Sequence, residues 1–163
     1  MPIHEIEMRS FTLGNRSIAK LQNVHPDLVG VVHRAIELTT IDFCVVDGLR
    51  TLTEQQKYFD AQITHTMQSR HLTGHAIDLV PYINSRCCWE LNAIYPVALA
   101  MRQAANELQV PLLWGGCWDR FLTSTSASPK EMLAGYRQRM KKAGKEAFFD
   151  GPHYELPEGY YPG

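Results

Sequence analysis

Ser69-Arg70-His71-Leu72-Thr73-Gly74-His75-Ala76-Ile77-Asp78-Leu79-Val80-Pro81 is the stretch whose reading decides the fold. Its second half, from Ala76, alternates sides and stops at a proline. That predicts a strand with Asp78 facing away from Ile77 and Leu79. In its first half Gly74 opposes helix and permits a tight path into the strand. A turn feeding a strand can bring His71 and Asp78 back onto one centre. Imidazole nitrogen and carboxylate oxygen both ligate zinc well, at about 2.0–2.2 Å. His71 and His75 also have the spacing of the helical H-E-x-x-H of many metalloproteases. Leu72 stands where that motif needs glutamate, so His75 is expected beside the site rather than in it.

Outward from this stretch, helices and short strands alternate irregularly. Pro26 to about Leu38 reads as a helix, with proline at its first position and Asp27 complementing its positive end. Ile41 to Val46 is a β-rich run ended by Asp47-Gly48. Thr53 with Gln56 predicts a capping box opening a helix to about Ala61. Cys88 to Leu108 has helical spacing, with a kink or break expected at Pro96. Pro111 to Trp114 is a further short strand ended by Gly115-Gly116. Ser128-Pro129-Lys130-Glu131 starts a helix that should stop at Gly144, and a last extended piece spans Phe148 to Leu156. The pattern favours α+β over a doubly wound parallel sheet. No Gly-rich phosphate loop follows any strand.

The 163 residues suit a single domain, and 45% hydrophobic with 20% charged residues excludes the disordered and fibrous classes. Sixteen basic against seventeen acidic residues leave a net charge of -1, which argues against a broad cationic surface for nucleic acid or anionic lipid. No apolar run is long enough to span a bilayer, so no membrane insertion is expected. The acidic N-terminal stretch lacks the apolar core of a secretory signal, which predicts synthesis in the cytoplasm. Cys44, Cys87, Cys88 and Cys117 include no C-x-x-C pair and read as ordinary, partly buried thiols. Of the other histidines, His4 falls in an end expected to fray, His25 just precedes a helix and His33 lies on one.

A catalytic zinc usually takes three protein ligands and keeps one position open. His153, within Asp150-Gly151-Pro152-His153-Tyr154-Glu155, is the candidate third ligand. Asp150, three residues earlier, is a carboxylate able to move a proton between water and a leaving amine. The competing reading makes Asp150 and His153 a surface turn near the C-terminus.

The pattern S-x-H-x-x-G-x-A-x-D, complete from Ser69 to Asp78, resembles that of the M15 zinc peptidases. These include D-alanyl-D-alanine carboxypeptidases and dipeptidases, and phage L-alanyl-D-glutamate endopeptidases. Asp150 to His153 matches the family's [ED]-x-x-H motif. Asp47-Gly48-Leu49-Arg50-Thr51 with Gln55 or Gln56 resembles its G-x-R-[ST] segment, and Trp114-Gly115-Gly116 its W-G-G turn. The likeness runs from about Phe11 to Leu156 and is nearest to the phage endolysins.

The resemblance implies a small antiparallel sheet flanked by helices, as in the M15 and Hedgehog-like folds. It implies His71, Asp78 and His153 as Zn2+ ligands and Asp150 as general base. Arg50 would hold a substrate carboxylate or steady the oxyanion. A structural ion pair of Arg50 with Asp47 is the alternative. Ser69 would brace the ligand loop. Trp89 and Trp114 are expected in core or rim packing, and Trp118 at the cleft. The expected substrate is the L-Ala–D-Glu bond of bacterial peptidoglycan, cut by a monomer that reaches the wall once the host membrane is permeabilised. A D-alanyl-D-alanine carboxypeptidase or dipeptidase, and a zinc-containing wall-binding module without activity, are the alternatives. Family endolysins pass quickly from W-G-G to D-x-P-H. The stretch 121–147, with its helix, therefore reads as an insertion in a single domain spanning 1–163.

Overall fold

β2, Ala76–Ile83, is the axis of the molecule. A computed structural model describes residues 10–64 and 66–163, so His4 and His65 lie outside the described residues. β1, Phe43–Asp47, pairs antiparallel along one side of β2, and β5, His153–Glu155, along the other; β4, Leu113–Trp114, closes the order β1-β2-β5-β4. β3, Arg86–Cys87, folds back on the far end of β2 through a turn at Asn84 and Ser85, both at positive φ. The α+β class and the small antiparallel sheet are as expected.

Register is what aligns the site. Asp78 of β2 stands opposite Asp47 on one side and His153 on the other. Cross-strand partners share a face, so three functional side chains fall in one row. The sheet's pairing is irregular between Val45 and Asp47, which re-aims the end of β1.

Helices cover the sheet. α1 is Asn15–Lys20, α2 Pro26–Leu38, α3 Leu52–Asp60, α4 Leu91–Leu108 and α5 Pro129–Lys142. The core joins Leu28, Val32 and Ile36 of α2 with Val97 and Met101 of α4 and Ile77 and Leu79 of β2, all buried. Each such side chain contributes about 1.5–3 kcal/mol on leaving water.

Three local expectations need correction. The capping box is Thr51 with Glu54, two residues before the Thr53–Gln56 pair, and Gln56 instead donates to Asp60. A charged glutamate near the N-terminus gains from the helix dipole, which glutamine does not. β2 does not stop at Pro81: Tyr82 N–H donates to Asp42 and Cys88 N–H to the Pro81 carbonyl, carrying the pairing two residues further. α4 begins at Leu91 and runs unbroken through Pro96, because burial of Ala93, Ile94, Val97 and Ala98 around it outweighs one lost hydrogen bond. Neither α1 nor β3 was anticipated.

Candidate metal centre

His71 sits in a 3-10 turn, Arg70–Thr73, whose start is capped by Ser69: its Oγ accepts from His71 N–H at 3.2 Å. Ser69 thus braces the loop. Gly74 ends the turn at φ 75, a left-handed conformation that glycine adopts freely. Arg50 N–H donates to the His71 carbonyl at 2.9 Å, tying the turn to the segment after β1.

His71, Asp78 and His153 form the group of donors among the described residues that could hold a metal ion, their ligand atoms all within 4.8 Å of one another. His71 Nε2 and His153 Nδ1 each lie 3.3 Å from Asp78 Oδ1. That spacing is at the long end of the hydrogen-bond range. It agrees with ligands placed about 2.1 Å from a tetrahedral ion, which stand about 3.4 Å apart.

The remaining ring nitrogens are already committed. His71 Nδ1 donates to the Gly48 carbonyl at 2.8 Å, and His153 Nε2 to Glu155 Oε1 at 2.8 Å. With a metal bound, these two acceptors would keep the tautomer whose free nitrogen faces the ion; without one, the facing nitrogens are the donors to Asp78. His71 and His153 are buried, at 2% and 5% exposure. The donor set therefore fits a divalent ion.

The metal-free electrostatics follow from the same contacts. Burial disfavours the Asp78 carboxylate, but hydrogen bonds to His153 and His71 outweigh it and hold Asp78 below the usual carboxylate range. Burial likewise opposes charge on His153, and hydrogen bonds to Asp78 and Glu155 reverse the balance, holding it above the ordinary imidazole range.

Asp150 stands beside this group, its Oδ2 3.9 Å from His153 Nδ1 and its side chain partly exposed. Burial first, and the Asp78 charge second, push its carboxyl above the usual range. The W-G-G turn holds it there. Gly115 N–H donates to the His153 carbonyl at 2.8 Å and the Gly115 carbonyl accepts from Asp150 N–H at 2.9 Å. Trp114, fully buried, donates from Nε1 to the Gly151 carbonyl at 2.7 Å.

Arg50 is buried and forks onto Asp47, with Nε 3.1 Å from Oδ2 and Nη2 on the same oxygen. Its Nη1 donates to Gln55 Oε1 at 2.6 Å, and Nη2 lies 3.9 Å from Asp78 Oδ2. The Asp47 ion pair considered for Arg50 is thus present, and the guanidinium still lines the cleft. Gln55, fully buried, in turn donates to the Thr66 carbonyl.

The cleft, about 660 Å³, is walled by Arg50, Tyr58, Trp89, Trp118, Phe148 and Glu158. Trp118 lies over His153, ring centroids 5.1 Å apart and planes at 31°. Its loop is tied to α5 by a two-point pair of Arg139 with Asp119, at 2.6 and 2.8 Å. Trp114 is core, whereas Trp89 is 62% exposed at the rim and takes no part in the core. His75 contacts Thr73 Oγ1 and stays out of the donor group, and no cysteine belongs to it.

Sequence reasoning overlooked Glu155 and left Gln55 undecided. The signal for Glu155 was available, because residues two apart on a strand share a face with His153. The Gly48 carbonyl left no trace in the sequence, since any residue supplies one.

The family model of phage L-alanyl-D-glutamate peptidases matches residues 9–157. The L-alanyl-D-glutamate peptidase of Escherichia phage T5 is 37% identical over 151 residues, covering 90% of this chain and 98% of that protein. The crystal structure of the Serratia marcescens L-Ala D-Glu endopeptidase ChiX superposes with a TM-score of 0.71 at 32% identity, covering 98% of each chain.

Proposed function

The chain belongs to the family of phage L-alanyl-D-glutamate peptidases, and from that premise we propose that it is a zinc-dependent endolysin. Its substrate is the stem peptide of bacterial peptidoglycan, and the bond it hydrolyses joins L-Ala to D-Glu. The observation that carries this reading is the convergence of His71, Asp78 and His153 beside Asp150 on the floor of one cleft.

His71, Asp78 and His153 would hold the zinc. Once bound, zinc supplies Lewis-acid polarisation of the scissile carbonyl and lowers the pKa of a water toward about 7. Asp150 is the general base. It accepts the proton of the attacking water and returns it to the departing D-Glu nitrogen, so that no net proton is consumed at the carboxylate. Its place beside the donor group, with Oδ2 3.9 Å from His153 Nδ1 and the side chain partly exposed to the cleft, suits that double role. Arg50, fixed by Asp47 and Gln55, presents its remaining donor capacity to developing negative charge or to a substrate carboxylate. Glu155 keeps His153 in its ligating tautomer.

One chain supplies every one of these groups, so no second copy is needed to complete the site, which supports reading the enzyme as a monomer. No helix among the described residues is long and apolar enough to cross a membrane. The enzyme accumulates in the host cytoplasm and reaches the wall after a separate permeabilisation of the membrane. The stretch 121–147 is an addition to the family plan, and its helix α5 braces the Trp118 side of the cleft through Arg139.

Asp150→Ala tests the assignment. It should bind zinc stoichiometrically and fail to lyse permeabilised cells. Wild-type lysis by that variant contradicts it.

A further inference from the structure

Trp89 has an unusual position for so large an apolar side chain. The indole is 62% exposed, although burying an aromatic ring of this size is worth several kcal/mol, and the protein leaves it in water at the cleft rim. It follows β3 after Cys88 and lines two grooves at once. One is the catalytic cleft, and the other is formed by Ile83, Asn84, Arg86, Cys87, Cys88 and Glu90. The second groove adjoins the first, with Trp89 lining both. Its polar side chains are Asn84, Arg86 and Glu90, uncharged on balance and able to both donate and accept hydrogen bonds.

We propose that Trp89 and this adjoining groove form a subsite for the amino-sugar backbone of murein, with the indole stacking on the apolar face of a pyranose. This rests on the functional reading above. The L-Ala of a stem peptide is amide-linked to the lactyl group of muramic acid, so a sugar lies one residue from the scissile bond. A groove adjoining the cleft through Trp89 would meet either that sugar or the distal stem peptide. The distal peptide carries carboxylates and an amine, whereas a glycan is neutral along most of its length. A ring face flanked by balanced hydrogen-bonding groups matches the glycan.

The test compares wild type with Trp89→Ala and Trp89→Tyr. Peptide-free glycan strands titrated into wild type should quench and shift tryptophan fluorescence and bring the protein down on sedimentation with the strands. Trp89→Ala should weaken that binding about tenfold, near the upper end of what an aromatic stacking contact supplies, and Trp89→Tyr should recover most of it. On intact sacculi the KM of Trp89→Ala should rise about tenfold more than on a glycan-free stem peptide. Absence of glycan binding by wild type, or equal losses on both substrates, overturns the proposal. Glycan binding that depends on Trp89 in a protein that cleaves neither substrate upholds the subsite and refutes the peptidase reading instead.

Discussion

Gly115→Ala should damage the catalytic centre without replacing any proposed ligand. Gly115 is not at positive φ, so its backbone can accept a side chain, and the obstacle is proximity. A Cβ there would stand 2.0 Å from the Asp150 carbonyl oxygen and 3.0 Å from His153 Cβ, where ordinary contact begins near 3.4 Å. The Asp150–His153 turn must therefore retreat by roughly 1.4 Å to restore van der Waals separation. It cannot do so freely, because Gly115 also holds both ends of that turn by backbone hydrogen bonds at 2.8 and 2.9 Å. Overpacking of this kind costs about 1–3 kcal/mol of stability. A displacement of about 1 Å between a general base and its reaction partners costs about 10²-fold in turnover. The assay is turnover of a stem peptide by zinc-saturated protein at a temperature well below its melting point, beside a thermal melt. Gly159→Ala, whose Cβ meets nothing within 4 Å, is the control and should match wild type. Wild-type turnover and melting in Gly115→Ala would refute the idea that the W-G-G turn positions Asp150 and His153.

Other substitutions separate the remaining roles. Glu155→Ala should lower zinc affinity about 10–100-fold, read by competition with a chromophoric chelator, because the acceptor that orients His153 is lost; an unchanged affinity contradicts that role. Gln55→Ala should free one Arg50 donor and the Thr66 carbonyl, destabilising by about 1–3 kcal/mol in a denaturant titration and lowering turnover, whereas neutrality on both counts would separate Gln55 from the site. Zinc affinity should climb from pH 6 to 8. Burial pushes His153 down, but hydrogen bonds to Asp78 and Glu155 push it further up, so protons compete with the metal at this imidazole and are removed as pH rises. A flat calorimetric profile across that range contradicts the assignment of His153 as ligand. Chelator treatment should abolish lysis, and zinc should restore it.

Much of this was legible in the sequence because the signals were local. Alternation from Ala76 to Leu79 set the side of the sheet that Asp78 occupies, and Ser128-Pro129 with Glu131 set the start of α5, whose Ser128 does accept from Glu131 N–H. The same local logic misplaced the start of α3, since Thr51–Glu54 and Thr53–Gln56 both satisfy the capping pattern and only the dipole separates them. What sequence could not supply was register. That Asp47, Asp78 and His153 stand in one row depends on an irregularity in β1 pairing and on β5 joining β2 from far along the chain. The buried linkage from Arg50 through Gln55 to Thr66 was hidden for the same reason, because its members meet only after α3 folds back on the loop that follows it.

The central claim is that the His71–Asp78–His153 group with Asp150 cuts one particular bond, and mass spectrometry of purified murein digested by the zinc-loaded protein reads that bond directly. New L-Ala carboxyl ends paired with new D-Glu amino ends are the predicted result. Release of D-Ala, or no new ends at all, would contradict it.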